Sequence, residues 1–241
     1  MNLLPGFLIL FITCHLRLVQ ALAANFYGIA LEPHAPIIKF DITVLIPNTS
    51  SNPLMVNNIQ AFWPGLEPDP SSALYQQVIT NQGGGPEDGT SCHFGAALYP
   101  GDTLTTLFRW NPMSQNWFDN WLLQPGEKGH AAGETPTGGG LITDGHFDTA
   151  YKNSHYSPFK QALIMIELQR QGVWDWGQII WSNIVIEAQT TSTDWCAGNW
   201  EGWRGPDNKF EWNNTEPVAT YNAQLNTTTC YIAEIVFISP N

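Results

Sequence analysis

The densest set of groups that could do chemistry is the alternating acid and imidazole series Asp144, His146 and Asp148. In an extended segment, alternate residues point to the same side, so all three side chains would face one way. Carboxylates and imidazoles together can bind Zn²⁺ or Mn²⁺. No HExxH motif and no closely paired cysteines accompany them, so we expect a polar loop here and predict neither a metal ion nor another cofactor.

A second set, Tyr151, His155 and Tyr156, contains the base and acid that a β-elimination on a uronate requires. The chain has 9 Lys and Arg against 21 Asp and Glu, for a formal net charge of −12, so few Arg are available to neutralise a carboxylate substrate. The same charge argues against a nucleic-acid partner, because phosphates bind basic surfaces. The Glu-x-Asp-x-Glu motif of retaining glucanases and the Gly-x-Ser-x-Gly elbow of serine hydrolases are absent from the sequence.

The N-terminal segment predicts secretion. Its apolar run is shorter than the roughly 20 residues that a membrane-spanning helix needs, and it ends in an A-x-A cleavage pattern. We therefore expect residues 1–23 to be a signal peptide, residues 24–241 to form one domain, and the cleaved protein to be extracellular and free of the membrane. Three sequons predict N-glycosylation, at Asn48, Asn213 and Asn226.

Three cysteines follow the expected cleavage site, namely Cys92, Cys196 and Cys230. An odd number in an oxidising compartment leaves one thiol unpaired. We predict a bridge between Cys196 and Cys230, since both belong to the C-terminal segment and closing a loop of that length stabilises a fold by a few kcal/mol. Cys92 would then be a buried, inert thiol.

The rest of the chain alternates apolar and polar residues in short runs that turn residues interrupt. This pattern is typical of strands, and no stretch shows a sustained helical stripe. We therefore predict an all-β protein, a two-sheet antiparallel β-sandwich or jelly roll. Residues 83–89 and 126–145 are rich in glycine and predict long loops, the second of them either a mobile lid or a disordered insertion.

Three blocks of sequence resemble the fungal glutamic peptidases, the eqolisins. WPGLEPD at 63–69, followed by ALYQQV at 73–78, is similar to the family pattern W-x-G-I-D-G-D followed by A-I-L-Q. ALIMIE at 162–167 is similar to A-E-W-I-V-E, and WDWGQIIWSN at 174–183 is similar to A-D-F-G-S-V-T-F-T-N. The blocks occur in the family's order, so the resemblance implies a concanavalin A-like sandwich and peptide hydrolysis in an acidic medium.

The family's site residues carry over incompletely. The catalytic glutamine falls on Gln76 if the A-L-x-Q motif is matched, or on Gln77 if the spacing from Trp63 is kept. These two side chains would point to opposite faces of a strand. Trp63 matches the family's tryptophan, and Glu67 replaces its aspartate conservatively. The catalytic glutamate of the family falls on Leu163.

A leucine cannot shuttle a proton, so Leu163 removes the general acid and base of the family mechanism. Glu167 lies on the same strand face, but roughly 13 Å further along the strand. Either Glu167 defines a displaced site, or the chain is a fold relative without peptidase activity, and we favour the second reading. The expected partner is then a peptide, a polysaccharide or another small-molecule ligand.

The sequence contains eleven tryptophans, whose rings can fill a core or stack on sugar rings. Trp174 and Trp176 would share one strand face and Trp181 the other, so we expect at least one of them to reach the surface or a cleft. Trp200 and Trp203 lie in a segment dense in glycine and charge. The run that contains them, from Trp195 to Trp212, is the best candidate for an exposed aromatic patch, and burial in the core is an equal alternative. An exposed patch would favour a carbohydrate-binding or carbohydrate-cleaving protein.

Overall fold

The computed structural model describes residues 24–49, 58–68, 73–80, 98–142, 158–198, 200–205 and 209–239. The strands are β1 (Ala24–Leu31), β2 (Ile37–Leu45), β3 (Asn58–Pro68), β4 (Tyr75–Gln76), β5 (Ile79–Thr80), β6 (Thr103–Asn111), β7 (Asn116–Gln124), β8 (Thr137–Ile142), β9 (Phe159–Arg170), β10 (Ile179–Ala188), β11 (Glu201–Arg204), β12 (Glu211–Asn214), β13 (Val218–Asn222) and β14 (Thr227–Ile238). A short helix α1 (Glu127–Ala131) and a 3-10 turn (Asp194–Cys196) complete the elements.

Several sequence predictions fall outside the described residues. These are the signal peptide at 1–23, the loop at 83–89, Cys92, Asp144, His146, Asp148, Tyr151, His155 and Tyr156.

The strands form two antiparallel sheets, which confirms the predicted β-sandwich. Sheet A has the order β11-β1-β9-β3-β4, with β5 also paired to β3. Sheet B has the order β12-β14-β10-β2-β6-β7-β8, with β13 also paired to β14. The long strands β9 and β14 each have twelve residues and lie inside their sheets, so the two sheets are built around them.

The core lies between the sheets because alternate residues of each strand are apolar and face inward. From sheet A the core receives Ile29, Ile164 and Ile166, and from sheet B it receives residues such as Phe40, Ile186 and Ile232, all fully buried. Many aromatic rings fill the same layer and meet edge-on or stacked; Phe40 stacks on Phe108, and Phe62 meets Trp181 edge-on. The apolar alternation read from the sequence is thus the packing of two inner faces.

The segment 73–80 is not one continuous strand. It is split into β4 and β5, with Gln77 and Val78 between them. The neighbouring strand β3 carries Pro64 opposite this break, and proline has no backbone N–H to donate to the ladder. One hydrogen bond remains at this point, from Gln77 N to Pro64 O at 3.2 Å.

Trp174, Trp176 and Trp181 are all buried, with exposures of 1%, 6% and 0%, so the prediction that one of them reaches the surface is wrong. Alternation does not apply to Trp174 and Trp176, because they lie in the connection between β9 and β10 and not on a strand. That connection places the Trp174 ring against Tyr27 and Phe210. Its indole N–H donates to Gly177 O at 2.6 Å.

Cys196 and Cys230 form a disulfide with a Cα–Cα separation of 5.5 Å, as predicted. Both residues are buried, and the bridge fastens the 3-10 turn to the central part of β14. The pairing places the segment that leads to β11 next to sheet B.

The prediction of a long loop at 126–145 is wrong for the residues described there, which form α1 and the edge strand β8. Asp102 is fully buried and helps to fix this region, because its carboxylate accepts hydrogen bonds from Tyr99 N at 2.8 Å and Gly126 N at 2.7 Å. Within the described part of the chain, no helix is long and apolar enough to cross a membrane.

Candidate functional site

Sheet A has a second apolar surface on the side that faces away from sheet B. Five of its residues are at most 4% exposed and form a cluster separate from the main core: Ala30, Ala61, Trp63, Leu163 and Met165. They alternate along β1, β3 and β9 with the residues of the main core, so they share the opposite face. We call this surface the outer face of sheet A.

One row of this face runs across four strands through Gly65. Gly65 pairs with Gln76 on β4 and with Leu163 on β9, and Leu163 pairs with Ala30 on β1. A Cβ added at Gly65 would lie 3.1 Å from the Trp63 ring and 3.2 Å from Gln76 Cβ. Leu74 Cδ1 would lie equally near, at 3.2 Å, so the glycine leaves room for the side chains of Trp63, Leu74 and Gln76 above it.

Gln76 and Gln77 point to opposite faces of sheet A. Gln77 is 7% exposed and accepts a hydrogen bond from the buried hydroxyl of Thr106 in sheet B at 2.8 Å, so it belongs to the interior. Gln76 lies on the outer face beside Gly65. Its Oε1 is buried and has no hydrogen-bond partner among the described residues. Gln76 is therefore the residue of the pair that can act on this face.

Glu167 lies on the outer face, but away from Gln76. It pairs with Ala61, four residues along β3 from Gly65, so the two backbones are about 16–17 Å apart when strand rise and strand spacing are combined. The Glu167 carboxylate accepts hydrogen bonds from Trp63 Nε1 at 3.0 Å and from Gln169 Nε2 at 2.5 Å. The structure therefore does not bring Gln76 and Glu167 into one reaction centre.

Glu67 lies at the end of the outer face that is nearer to Gln76. It pairs with Gln161 on β9, and Gln161 Nε2 donates to Glu32 Oε1 at 2.9 Å. Gln76 and Glu67 are diagonal neighbours on paired strands, a relation that typically separates Cα atoms by about 7–8 Å. Sequence reasoning found Glu67 but missed Glu32 and Gln161, since only the strand register reveals them as neighbours.

A second row crosses the outer face from β11 to β3. Trp203 pairs with Gly28, Gly28 with Met165, and Met165 with Trp63. A Cβ added at Gly28 would lie 2.5 Å from Met165 Sδ, so the thioether of Met165 occupies the space above the glycine. The row thus consists of two tryptophans with a methionine between them.

Of the two tryptophans proposed for an exposed patch, only Trp203 is exposed. Trp203 is 40% exposed, whereas Trp200 is 8% exposed and packs in the main core, so the prediction of an exposed Trp200 is wrong. Trp200 directly precedes β11 and lies four residues after the disulfide-bonded Cys196. The disulfide holds this part of the chain against the core, and that constraint could not be read from local composition.

The sequon asparagines Asn48, Asn213 and Asn226 are all exposed. Asn213 lies on β12, and Asn226 follows β13 in a tight turn with a positive φ of 54°. N-glycosylation at these positions stays a prediction, and exposure is the property of the fold that it requires.

The opposite outer surface, that of sheet B, carries an ion-pair network. Arg109 binds both carboxylate oxygens of Asp41, and Lys39 lies 3.5 Å from Asp41. Burial lowers the pKa of Lys39, and the Arg109 charge lowers it further, while Glu187 acts in the opposite direction. Burial also lowers the pKa of Arg109. Opposite charges are paired here, which is typical of a structural surface network.

No protein-family model matches the chain, and no curated protein matches it. Within the described residues, no group of three or more His, Cys, Asp or Glu side chains is arranged to hold a metal ion.

Proposed function

We propose that this chain is a secreted, glycosylated relative of the eqolisins that binds an extended peptide on the outer face of sheet A. In this proposal it does not hydrolyse the peptide by the family's glutamate-dependent mechanism. The single observation that carries the proposal is the row Gln76, Gly65, Leu163, in which a leucine occupies the position of the family's catalytic carboxyl.

The geometry around this row supports binding. Gln76 has a buried amide oxygen with no partner among the described residues, and it lies beside Trp63, which matches the family's tryptophan. A backbone N–H of a bound peptide would satisfy that oxygen, and an unsatisfied buried polar atom costs about 1–3 kcal/mol. The peptide would contact the accessible side chains of this face, among them Gln76 and Trp203, while Leu163 and Met165 are buried beside them.

The same geometry argues against hydrolysis. Activation of water requires a group that can accept and return a proton, and Leu163 has none. Glu167 is too far from Gln76 to share a substrate bond with it, and its carboxylate already binds Trp63 and Gln169. An amide without a general base can hold a carbonyl or an N–H group but cannot complete the reaction.

The test is a gain of function. The wild-type protein should not cleave denatured casein or haemoglobin between pH 2 and 5, and Leu163→Glu should introduce measurable cleavage in that range. Leu163→Gln is the matched control, because it has a similar size and is polar but cannot transfer a proton, and it should stay inactive. Pepstatin-insensitive proteolysis by the wild-type protein would refute the proposal. Glu67→Gln and Glu167→Gln would then show which of the two carboxylates is responsible, since Glu67 is the diagonal neighbour of Gln76.

A carbohydrate-binding or carbohydrate-cleaving protein on the same fold is the second candidate, and the exposed ring of Trp203 favours it. Aromatic rings at an accessible edge of a sheet stack on pyranose rings. Retention of the wild-type protein on insoluble glucan or chitin would support this candidate if Trp203→Ala abolished it. Tyr221→Ala is the control, because Tyr221 is similarly exposed at 42% but lies on β13, a strand of sheet B.

A further inference from the structure

The edge strand β11 extends the outer face of sheet A by two side chains, Glu201 and Trp203. Their orientation follows from their neighbours on the strand. A Cβ at Gly202 would meet the Trp212 ring at 2.9 Å, and Arg204 lies over the same ring at 5.4 Å. Gly202 and Arg204 therefore face the interior side, so Glu201 and Trp203 face outward.

The cross-strand neighbours of this pair on β1 are small. Trp203 pairs with Gly28, and Glu201 pairs with Ala30. Beyond them on β9 lie Leu163 and Met165. The two β11 side chains thus stand at the exposed edge of the outer face, beside the buried residues Ala30, Leu163 and Met165.

Carboxylates predominate among the charged groups of this face. They are Glu32, Glu67, Glu167 and Glu201, and His34 lies beside the first of them, with its Nε2 4.0 Å from the Glu32 carboxylate. The chain as a whole has a formal net charge of −12. A ligand with positive charge is complementary to this surface, and an anionic ligand is repelled by it.

We infer that Glu201 and Trp203 form a subsite for a basic side chain, lysine or arginine, of the peptide that the outer face binds; this inference rests on the proposed function. The aliphatic stem of such a side chain would lie along β11, at the exposed edge of the outer face. Its cation would contact the exposed ring of Trp203 and pair with the carboxylate of Glu201. Glu201 and Trp203 are residues i and i+2 of β11, so their Cα atoms are about 7 Å apart. One guanidinium group can contact both side chains over this distance.

The experiment measures binding of capped pentapeptides, Ala-Ala-X-Ala-Ala with X as Arg, Lys, Leu or Glu, to the full chain by fluorescence anisotropy at pH 6. We expect the Arg and Lys peptides to bind about tenfold more tightly than the Leu peptide, and the Glu peptide to bind most weakly. Raising the salt concentration should reduce the Arg preference, because the ion pair is exposed to solvent.

Matched variants locate the effect. Glu201→Gln and Trp203→Ala should each reduce the Arg-to-Leu preference by about threefold to tenfold. Glu211→Gln removes the same charge from an exposed residue of β12, and Tyr221→Ala removes an exposed ring of β13, so both should keep the preference. Melting curves of all four variants check that each protein is folded.

The outcomes separate the two proposals. If the four peptides bind equally, or if the Arg preference survives both Glu201→Gln and Trp203→Ala, the subsite is refuted and peptide binding by the outer face stands. If no peptide binds, both the subsite and the proposed function are refuted. Loss of the preference in Glu211→Gln as much as in Glu201→Gln would also refute the subsite, because the effect would then come from net charge alone.

Discussion

Gln76 and Leu163 pair with the same residue, Gly65, from its two sides on the outer face of sheet A. Two strand spacings separate their backbones, about 10 Å, so side chains that reach over the glycine can meet. An amide and a leucine in this relation can bind a peptide group but cannot transfer a proton. The contrast between the amide of Gln76 and the apolar side chain of Leu163 is the basis of the proposed function.

The Leu163→Glu variant should be less stable at neutral pH than in acid. Position 163 is 3% exposed, and burial raises the pKa of a carboxyl because it disfavours the charged form. The folded state then binds more protons than the unfolded state, so stability falls as the pH rises above the ordinary glutamate value. We expect a loss of about 3–5 kcal/mol at pH 7 and a smaller loss at pH 4, measured by urea unfolding.

Leu163→Gln is the control for this pH dependence, since its side chain does not titrate. Its loss of stability should not change between pH 4 and pH 7. Equal losses for the two variants at both pH values would show that position 163 is open to water and not buried.

Gln76 and Gln77 should differ in function. Gln76→Met should weaken peptide binding with little effect on stability, because its amide oxygen has no partner among the described residues. Gln77→Met should leave binding unchanged and cost about 1–3 kcal/mol of unfolding free energy, because it leaves the buried Thr106 hydroxyl without its acceptor. Binding titrations and urea unfolding of both variants decide this, and weaker binding by Gln77→Met alone would contradict the assignment.

Much of the fold could be predicted from the sequence, because in a two-sheet protein the apolar residues that alternate along each strand are those that face the core. It placed Leu163 and Glu167 correctly on one face of β9, and the C-terminal position of Cys196 and Cys230 correctly suggested their bridge. The prediction from alternation that one of these tryptophans reaches the surface was wrong at Trp174 and Trp176, since those residues are not on a strand.

Which residues meet at the candidate site was harder to predict than the fold, because strand order and register depend on contacts between residues distant in sequence. Nothing local to Gly28 or Glu201 indicates that β11 pairs with β1 and that β1 pairs with β9. The choice between Gln76 and Gln77 also needed the structure, since it depends on the break between β4 and β5 opposite Pro64.

Trp200 and Trp203 should respond in opposite ways to removal of their rings. Trp200→Ala should cost about 3–5 kcal/mol of unfolding free energy, since a buried tryptophan leaves a large cavity. Trp203→Ala should cost less than about 1 kcal/mol, because its ring is 40% exposed. Equal midpoints for the two variants in urea unfolding would be inconsistent with this difference in burial.

Loss of the Cys196–Cys230 bridge should destabilise the domain without changing the site directly. The bridge spans 34 residues, and the chain-entropy estimate for a loop of that size is about 4 kcal/mol. We expect the double variant Cys196→Ala with Cys230→Ala to unfold at correspondingly lower urea concentration. Peptide mapping without reduction should recover the bridged pair, and a bridge from Cys92 to either partner would disprove the pairing.

The central claim, that the outer face of sheet A binds a peptide without cleaving it, is tested most directly by photo-crosslinking at pH 4. The probe is an Arg-containing peptide with one benzophenone side chain, and mass spectrometry locates its attachment and its integrity. We predict attachment to the chain around Gln76 or Trp203 and recovery of the peptide intact. Attachment to the outer face of sheet B, around Lys39 and Arg109, or recovery of a cleaved peptide, would contradict the claim.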